Sequence, residues 1–368
     1  MKKLRVAIVG CGKVGHIHAK TLKKMDSMEL VAVCGRDMSK TIVFADQYGV
    51  RAYGSVEKMV EEEKVDVVIV CTPHPLHKDS AVKALDAGAN VIIEKPLAST
   101  LHDCNEILDA AKRNNLLVGT ISQRRYYAPC MRIRKAIDDG KLGDPVLGMV
   151  TMLGWRDEVY YKSDPWRGSW KHEGGGVLVN QAPHQIDLLL WYMGPVDMVY
   201  GAWANLNHPY IEVEDTAIAV VRFKSGALGS IVVSNSQNPA LYGKVHVFGS
   251  NGAAAGVQTD GGAMFIAGVS NITEPPVNDI WTIPGEENML DEWKQQDSSF
   301  FNSIDSVAHY FELQYNDFAH AVMHGKKPLI DGAAGRNTVE LFTAIYRSNR
   351  DKTPVSFPLM PDERDGSY

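Results

Sequence analysis

Leu4-Arg5-Val6-Ala7-Ile8-Val9-Gly10-Cys11-Gly12-Lys13-Val14-Gly15 is the stretch whose reading decides the fold. Leu4 to Val9 is a short apolar run of the kind that forms a buried strand. It leads into a complete G-x-G-x-x-G, then a helical pattern from about His16 to Lys24, then a second apolar run, Leu30 to Val33. Glycines in that pattern carry meaning only in this context of strand, turn, helix and strand. Gly10 permits the tight turn, Gly12 lets backbone approach a pyrophosphate, and Gly15 allows the helix to pack closely on the strand. The helix N-terminus adds N–H donors for an anion. Gly10, Cys11, Gly12, Lys13, Val14 and Gly15 are therefore expected to bind a dinucleotide.

The end of the second strand reads Cys34-Gly35-Arg36-Asp37, where an NAD-binding unit usually carries an acid for the ribose hydroxyls. Gly35 is expected to leave room where that carboxylate would sit. Arg36 can pair with a 2′-phosphate or stack on adenine. Asp37 can still reach the ribose, and a solvated Arg36 would read the same. The loop leans towards NADP over NAD.

Working outward, the alternation of strand and helix continues. Ser39 to Tyr48 and Val56 to Glu63 read as helices, and Val65 to Cys71 as a buried strand ending in Thr72-Pro73-His74-Pro75-Leu76-His77. That loop, with Thr72, Pro73, His74 and His77, is expected to pack on the cofactor, although loop or cap histidines would look alike. A helix stops at Gly88 with a glycine cap. Val91-Ile92-Ile93-Glu94-Lys95-Pro96 follows: a buried strand that a proline must end. Glu94 and Lys95 then fall at the carboxyl edge of the sheet, where open α/β folds bind ligands. A lysine there can polarise a substrate oxygen or hold a proton; a plain ion pair is the alternative. Thr100-x-x-Asp103 opens a helix to Asn114, and Leu116 to Thr120 closes the series as its last strand. A doubly wound nucleotide domain over 1–122 results, with a second domain over 123–368.

Beyond this point the pattern changes. A helix from Pro129 to Asp139 precedes strands at Val146–Leu153, Val196–Trp203, Asp215–Phe223, Gly229–Ser234 and Lys244–Gly249, with turn signals at Gly226, Gly243 and Asn251-Gly252. Strands without a helix between each pair indicate a largely antiparallel sheet. Leu313 to His324 and Gly332 to Asn349 are helical. Within this half lies Gly174-Gly175-Gly176-Val177-Leu178-Val179-Asn180-Gln181-Ala182-Pro183-His184-Gln185-Ile186-Asp187. On one regular helix, Asn180 and His184 would share a face, and Asp187 could orient the imidazole. The glycines imply backbone that must come close to something. Between these stretches, Trp155 to Tyr161 and Pro165 to Trp170 mix aromatics with Arg156 and Arg167, which suits carbohydrate rings or a filled interface.

The bulk composition narrows the field. A chain of 368 residues with 45% hydrophobic and 22% charged residues is an ordinary globular protein of two domains. A net charge of −6 without a basic run argues against nucleic acid and anionic membrane as partners. No apolar run reaches bilayer length, and Met1-Lys2-Lys3-Leu4 leads into a strand pattern, so a cytoplasmic location is expected. The five cysteines are widely spaced, so neither a disulfide framework nor a metal site is expected.

Taken together, the glycine fingerprint, Glu94-Lys95-Pro96 and Gly-Gly-Gly…Asn180-x-x-x-His184-x-x-Asp187 resemble the glucose–fructose oxidoreductase / inositol dehydrogenase (Gfo/Idh/MocA) family. Arg124-Arg125-Tyr126, Glu214-Asp215-Thr216, Tyr315 and Asp331 extend the likeness over nearly the whole chain. It implies an N-terminal Rossmann doubly wound parallel sheet and a C-terminal α/β domain with a large open, mostly antiparallel sheet. That sheet commonly serves as the oligomer interface, so a homo-oligomer, dimer or tetramer, is implied. Hydride transfer between NAD(P) and a carbon of a sugar, sugar derivative or cyclic polyol is the implied activity. By the same likeness Lys95 is the catalytic lysine and His184 the acid/base. Asn180 stands where the family usually has aspartate, which shifts weight onto Lys95 and His184. Gln123, Trp166 and Arg167, with Glu94 and Lys95, join the implied cofactor contacts; Lys95, Gln123, Arg156, Tyr160, Asn180, Gln181 and His184 are the implied substrate contacts. Two alternatives stand beside this reading: a glycoside hydrolase that transiently oxidises its sugar with bound NAD, and a cofactor-binding regulatory protein without catalysis.

Overall fold

The computed structural model describes residues 3–241, 243–260, 274–366 and 368. The first elements in order are β1 (Leu4–Val9), α1 (Lys13–Leu22), β2 (Met28–Cys34), α2 (Met38–Tyr48), β3 (Arg51–Tyr53), α3 (Val56–Glu63) and β4 (Val67–Val70). α4 (His77–Asp86), β5 (Asn90–Ile93), α5 (Leu101–Asn114) and β6 (Val118–Thr120) complete this run. All six strands pair in parallel in the order β3-β2-β1-β4-β5-β6, the doubly wound arrangement expected. The strand order reverses between β1 and β4. The loops after these two strands, beginning at Gly10 and Cys71, therefore open at the switch point where nucleotides bind. β3 is the strand that the sequence does not mark: three residues, Arg51-Ala52-Tyr53, give too short a run for any periodicity. The local signals elsewhere hold. Thr100 caps α5 by accepting from the Asp103 N–H, and Gly88 takes φ +97 just after α4.

The chain continues with α6 (Ala128–Asp138), β7 (Pro145–Leu153), α7 (Glu158–Lys162), α8 (Val177–Asn180), α9 (Pro183–Met193), β8 (Val196–Ala204), β9 (Thr216–Phe223), β10 (Leu228–Ser234), β11 (Gly243–Gly249), β12 (Ala254–Asp260) and β13 (Val277–Trp281). α10 (Leu290–Ser303), α11 (Ser306–His324), α12 (Gly332–Asp351) and β14 (Val355–Ser356) end it. The second sheet runs β13-β12-β11-β7-β10-β9-β8-β14, and among the described residues only β7 and β10 pair in parallel. β9 alternates strictly: Ala217, Ala219, Val221 and Phe223 are buried, while Ile218, Val220 and Arg222 are exposed. α9 covers the buried face at β7 and β11. Gly243, expected in a turn, is the first residue of β11; a Cβ there would come within 2.6 Å of the Gln185 amide nitrogen.

Two compact units result: Met1–Gln123 with Val307–Arg336, and Arg124–Ser306 with Asn337–Tyr368. The boundary expected at 122/123 misses the return of Val307–Arg336 to the first unit. Phe311, Tyr315 and Phe318 of α11 lie in the same buried cluster as Val6, Ile8, Phe44 and Ile92. Gln314 donates to Thr120 O at 2.7 Å and accepts from Ser122 N–H at 3.2 Å, extending the edge of β6. Helical spacing shows that α11 has an apolar face, but not which sheet it covers.

Candidate active site

In the first unit the glycine loop is shaped as its pattern requires. Gly10 has φ +118, and a Cβ on it would meet Cys71 O at 2.7 Å. A Cβ on Gly15 would sit 2.3 Å from Gly10 O, whereas one on Gly12 would meet nothing within 4 Å. Two glycines are thus dictated by the protein's own packing, and the third faces open space at the start of α1. Two further polar atoms are buried with no hydrogen-bond partner among the described residues, Thr72 Oγ1 after β4 and Gln123 Oε1 after β6. Buried polar groups need partners, so a donor- and acceptor-bearing ligand fits these loops. The residues present therefore suit a nicotinamide dinucleotide.

Position 35 departs from expectation. It does not leave room: a Cβ there would lie 2.3 Å from Thr41 Oγ1 and 3.0 Å from Cys11 Sγ. Thr41 is held in that space because its hydroxyl donates to Asp37 O at 2.7 Å, and the Cys11 thiol lies 3.6 Å from it. Burial pushes the Cys11 thiol up from its ordinary range. Asp37 caps α2, accepting from Lys40 N–H at 3.2 Å, and Arg36 is exposed.

His77 is also corrected. It is fully buried, with Nδ1 2.9 Å from Pro96 O and Nε2 2.8 Å from Thr72 O. Its ring therefore ties the Thr72 loop to the turn after β5, with both nitrogens against backbone carbonyls. His74, beside it at a ring distance of 5.8 Å, is buried too.

Glu94 and Lys95 follow β5 directly, and the Lys95–Pro96 peptide is cis. Glu94 Oε2 accepts the Lys95 N–H at 3.1 Å. Its other oxygen lies 3.0 Å from His18 Nε2, and His18 Nδ1 bonds the Tyr315 hydroxyl. Burial alone would raise the Glu94 carboxyl; the bond and charge of His18, with the charge of Lys95, hold it below its ordinary value. His18 and Tyr315 were not among the expected site residues. The only signal for His18 was a polar residue on the packed face of the first helix.

The second unit assembles a polar cluster. Asn180 and His184 do not share one helix: α8 ends at Asn180, and Pro183 opens α9 as its first residue. Proline fits there because the first N–H of a helix needs no partner inside it. Two of the three glycines come close to the protein's own residues. A Cβ on Gly175 would meet the Tyr346 hydroxyl at 2.4 Å, and one on Gly176 would meet Glu214 O at 1.8 Å. Glu214, fully buried, accepts from Gly176 N–H at 2.8 Å, Leu178 N–H at 3.0 Å and Tyr346 OH at 2.8 Å. It thus supplies from afar the acceptors that the start of α8 needs. Burial pushes its carboxyl up to about 7 against the pull of these donors.

Asp187, expected to orient the His184 imidazole, pairs with an arginine. Its carboxylate accepts from Arg125 Nε at 2.8 Å and Nη2 at 2.6 Å, both side chains being buried. His184 is buried as well. The Tyr160 hydroxyl accepts from Asn180 Nδ2 at 3.2 Å, from Gln181 Nε2 at 2.9 Å and from Arg167 Nη1. The Arg167 guanidinium lies 4.3 Å from the Tyr160 ring centre and 4.5 Å from that of Trp166; Arg156 lies 5.2 Å from Tyr160. Arg156 is fixed through its backbone, its carbonyl 2.7 Å from His208 Nε2. Tyr160, Asn180, Gln181, Arg156 and Arg167 are thus gathered as a group. Glu173, absent from the expectations, joins them through Asn180 Nδ2. Among the described residues no group of three His, Cys, Asp or Glu could hold a metal ion. No described helix is long and apolar enough to cross a membrane.

The first unit has the doubly wound sheet of nucleotide-binding domains, and comparison with known proteins gives the family. Residues 4–121 match the model for an oxidoreductase family with an NAD-binding Rossmann fold, and residues 130–255 match the GFO/IDH/MocA C-terminal domain. The chain is 30% identical to the myo-inositol 2-dehydrogenase of Thermotoga maritima, over 68% of this chain and 74% of the relative. It is 26% identical to the inositol 2-dehydrogenase of Rhizobium meliloti, over 96% and 99%. A solved structure of the WlbA dehydrogenase from Bordetella pertussis, in complex with NADH and UDP-GlcNAcA, superposes with a TM-score of 0.81 at 28% identity, covering 98% of this chain and 100% of that one. The chain belongs to the Gfo/Idh/MocA family of oxidoreductases.

Proposed function

We propose that this protein transfers hydride between NAD(P) and a secondary alcohol or ketone carbon of a sugar, sugar derivative or inositol-like polyol. The observation that carries this reading is the Tyr160–Asn180–Gln181 cluster close in sequence to His184. It sets amides, a phenol and two guanidiniums side by side, as a surface for hydroxyl groups requires. The named dehydrogenases of inositol and the complex of the WlbA dehydrogenase support the substrate class.

The nicotinamide supplies a two-electron acceptor or donor. In oxidation, His184 takes the hydroxyl proton as the carbinol hydrogen leaves as hydride, and the Lys95 ammonium stabilises the negative charge developing on that oxygen. Thr72, Gln123 and the loop from Gly10 to Gly15 would hold the cofactor, and the exposed Arg36 would pair with a 2′-phosphate. NADP is accepted at least as well as NAD.

A homo-oligomer through the second sheet fits its outward face, where Tyr200, Ile218, Val220 and Leu228 are 46%, 53%, 58% and 54% exposed. Apolar side chains grouped on one face mark an interaction surface.

The test is a panel of sugars, uronates and inositols read at the nicotinamide absorbance with both cofactors. Reduction with at least one member is expected. Glycoside cleavage without net cofactor turnover would instead favour the hydrolase. Tight cofactor binding with no reaction across the panel would favour the regulatory protein.

A further inference from the structure

The amide at position 180 is held by a carboxylate that no expectation included. Glu173 is 1% exposed, and a buried carboxylate must be supplied with donors. One is Gly168 N–H, to Oε2; another is Asn180 Nδ2, to Oε1. The second amide hydrogen of Asn180 goes to the Tyr160 hydroxyl at 3.2 Å. Gln181 is oriented the same way, its Nε2 on that hydroxyl and its Oε1 accepting from Asn235 Nδ2 at 2.9 Å. A carboxylate only accepts, so Glu173 cannot face the carbonyl side of an asparagine. Both N–H groups of Asn180 are therefore engaged by the protein, on a residue that is only half-buried.

We propose that Glu173 is a positioning residue that sets the hydrogen-bonding polarity of position 180, so that Asn180 meets a substrate as an acceptor for a hydroxyl and not as a donor. The inference deepens the reading of this site as a polyol surface and rests on it for the identity of the ligand. The Glu173–Asn180 pairing itself is independent of that reading. A substrate hydroxyl bound at Asn180 must then donate, which favours a free alcohol over an oxygen carrying an ester or ether.

The test is a double-substitution cycle on the full chain. Asn180→Asp sets two carboxylates against each other. Glu173→Gln leaves a single acceptor oxygen for two donors, Gly168 N–H and Asn180. The pair Glu173→Gln/Asn180→Asp restores complementarity, because the new amide donates to the new carboxylate and still accepts from Gly168. Asn180→Asp alone is expected to lower the melting midpoint at pH 8 by about 5 °C, and by less at pH 5, where one carboxylate is protonated. The double variant is expected to recover most of the loss, a coupling that independent sites do not show. Additive losses in the double variant would overturn the pairing. The second readout uses myo-inositol as probe. Glu173→Gln is expected to raise its KM about tenfold, the worth of one net hydrogen bond, and the double variant to restore it, with affinity for NADH unchanged. An unchanged KM would overturn the role in substrate binding. If the wild-type protein does not oxidise myo-inositol, that substrate assignment fails, and the melting cycle alone decides the polarity of position 180.

Discussion

Arg125 places Nε and Nη2 on the two carboxylate oxygens of Asp187, at 2.8 and 2.6 Å, with both side chains nearly excluded from solvent. Two parallel bonds of this kind fix geometry as well as charge. The pair joins the segment entering α6 to the second turn of α9, three residues beyond His184. Removing one partner leaves the other charge buried and uncompensated, which costs about 3–5 kcal/mol. Arg125→Met is expected to lower stability by that order, whereas Arg125→Met/Asp187→Leu recovers most of it. Urea unfolding of the full chain measures both, and a double variant no better than the single one would contradict the account.

Lys95 and His184 carry the proposed chemistry. Loss of a positioned acid or base typically lowers the rate roughly a hundredfold to ten-thousandfold. His184→Ala and Lys95→Ala are each expected to fall in that range in turnover, with cofactor affinity changed far less by the histidine substitution. Steady-state kinetics on the substrate found by the panel, together with NADH titration, give the two numbers. Near-native turnover in either variant would remove that residue from the mechanism.

Glu214 makes stability depend on pH. Its folded carboxyl is pushed up to about 7, above the ordinary value of 4.5. A raised carboxyl favours the protonated folded state, so its contribution is complete below pH 4.5 and is lost as pH rises through about 7. Unfolding free energy measured from pH 5 to 8 should therefore fall by up to about 3 kcal/mol from this group, and Glu214→Gln should flatten that slope. An identical slope in the variant would show that Glu214 does not titrate there.

The Gly35–Arg36 loop gives a prediction with a structural condition attached. Arg36→Ala should weaken NADP more than NAD, by roughly tenfold if its guanidinium pairs with the 2′-phosphate. Installing an acid as Gly35→Asp should first destabilise the chain, because Thr41 Oγ1 would lie 2.3 Å from the new Cβ. Adding Thr41→Gly should relieve that strain. Dissociation constants for the two cofactors, with melting curves, separate the effects. A clear NAD preference unchanged in Arg36→Ala would refute the choice of cofactor.

How far the site could be read in advance depended on whether its contacts are local. The glycine fingerprint, the Thr100 cap and the end of β5 ahead of Pro96 are short-range statements about backbone, and they hold. His77 was read as a cofactor contact because it follows a strand end. Its two carbonyl partners, five and nineteen residues away, could not be foreseen. Gly35 was read as empty space because a missing side chain looks like room; Thr41 fills it from the next helix. The glycines before α8 were rightly read as a close approach, but the approaching groups are Glu214 and Tyr346.

By itself, the sequence determined the parallel nucleotide-binding sheet, the mostly antiparallel second sheet, and the placing of Lys95 at a strand end and of His184 near the start of a helix. Each follows from hydrophobic period, glycine freedom and proline's missing donor, which act within a few residues. Only the tertiary structure decided that α11 returns to the first unit, that Asp187 serves Arg125, and that Glu173 holds Asn180. These pairings join residues far apart or across a turn. Burial leaves each of their polar groups to find whichever partner the packing brings within reach, and no local pattern encodes that choice.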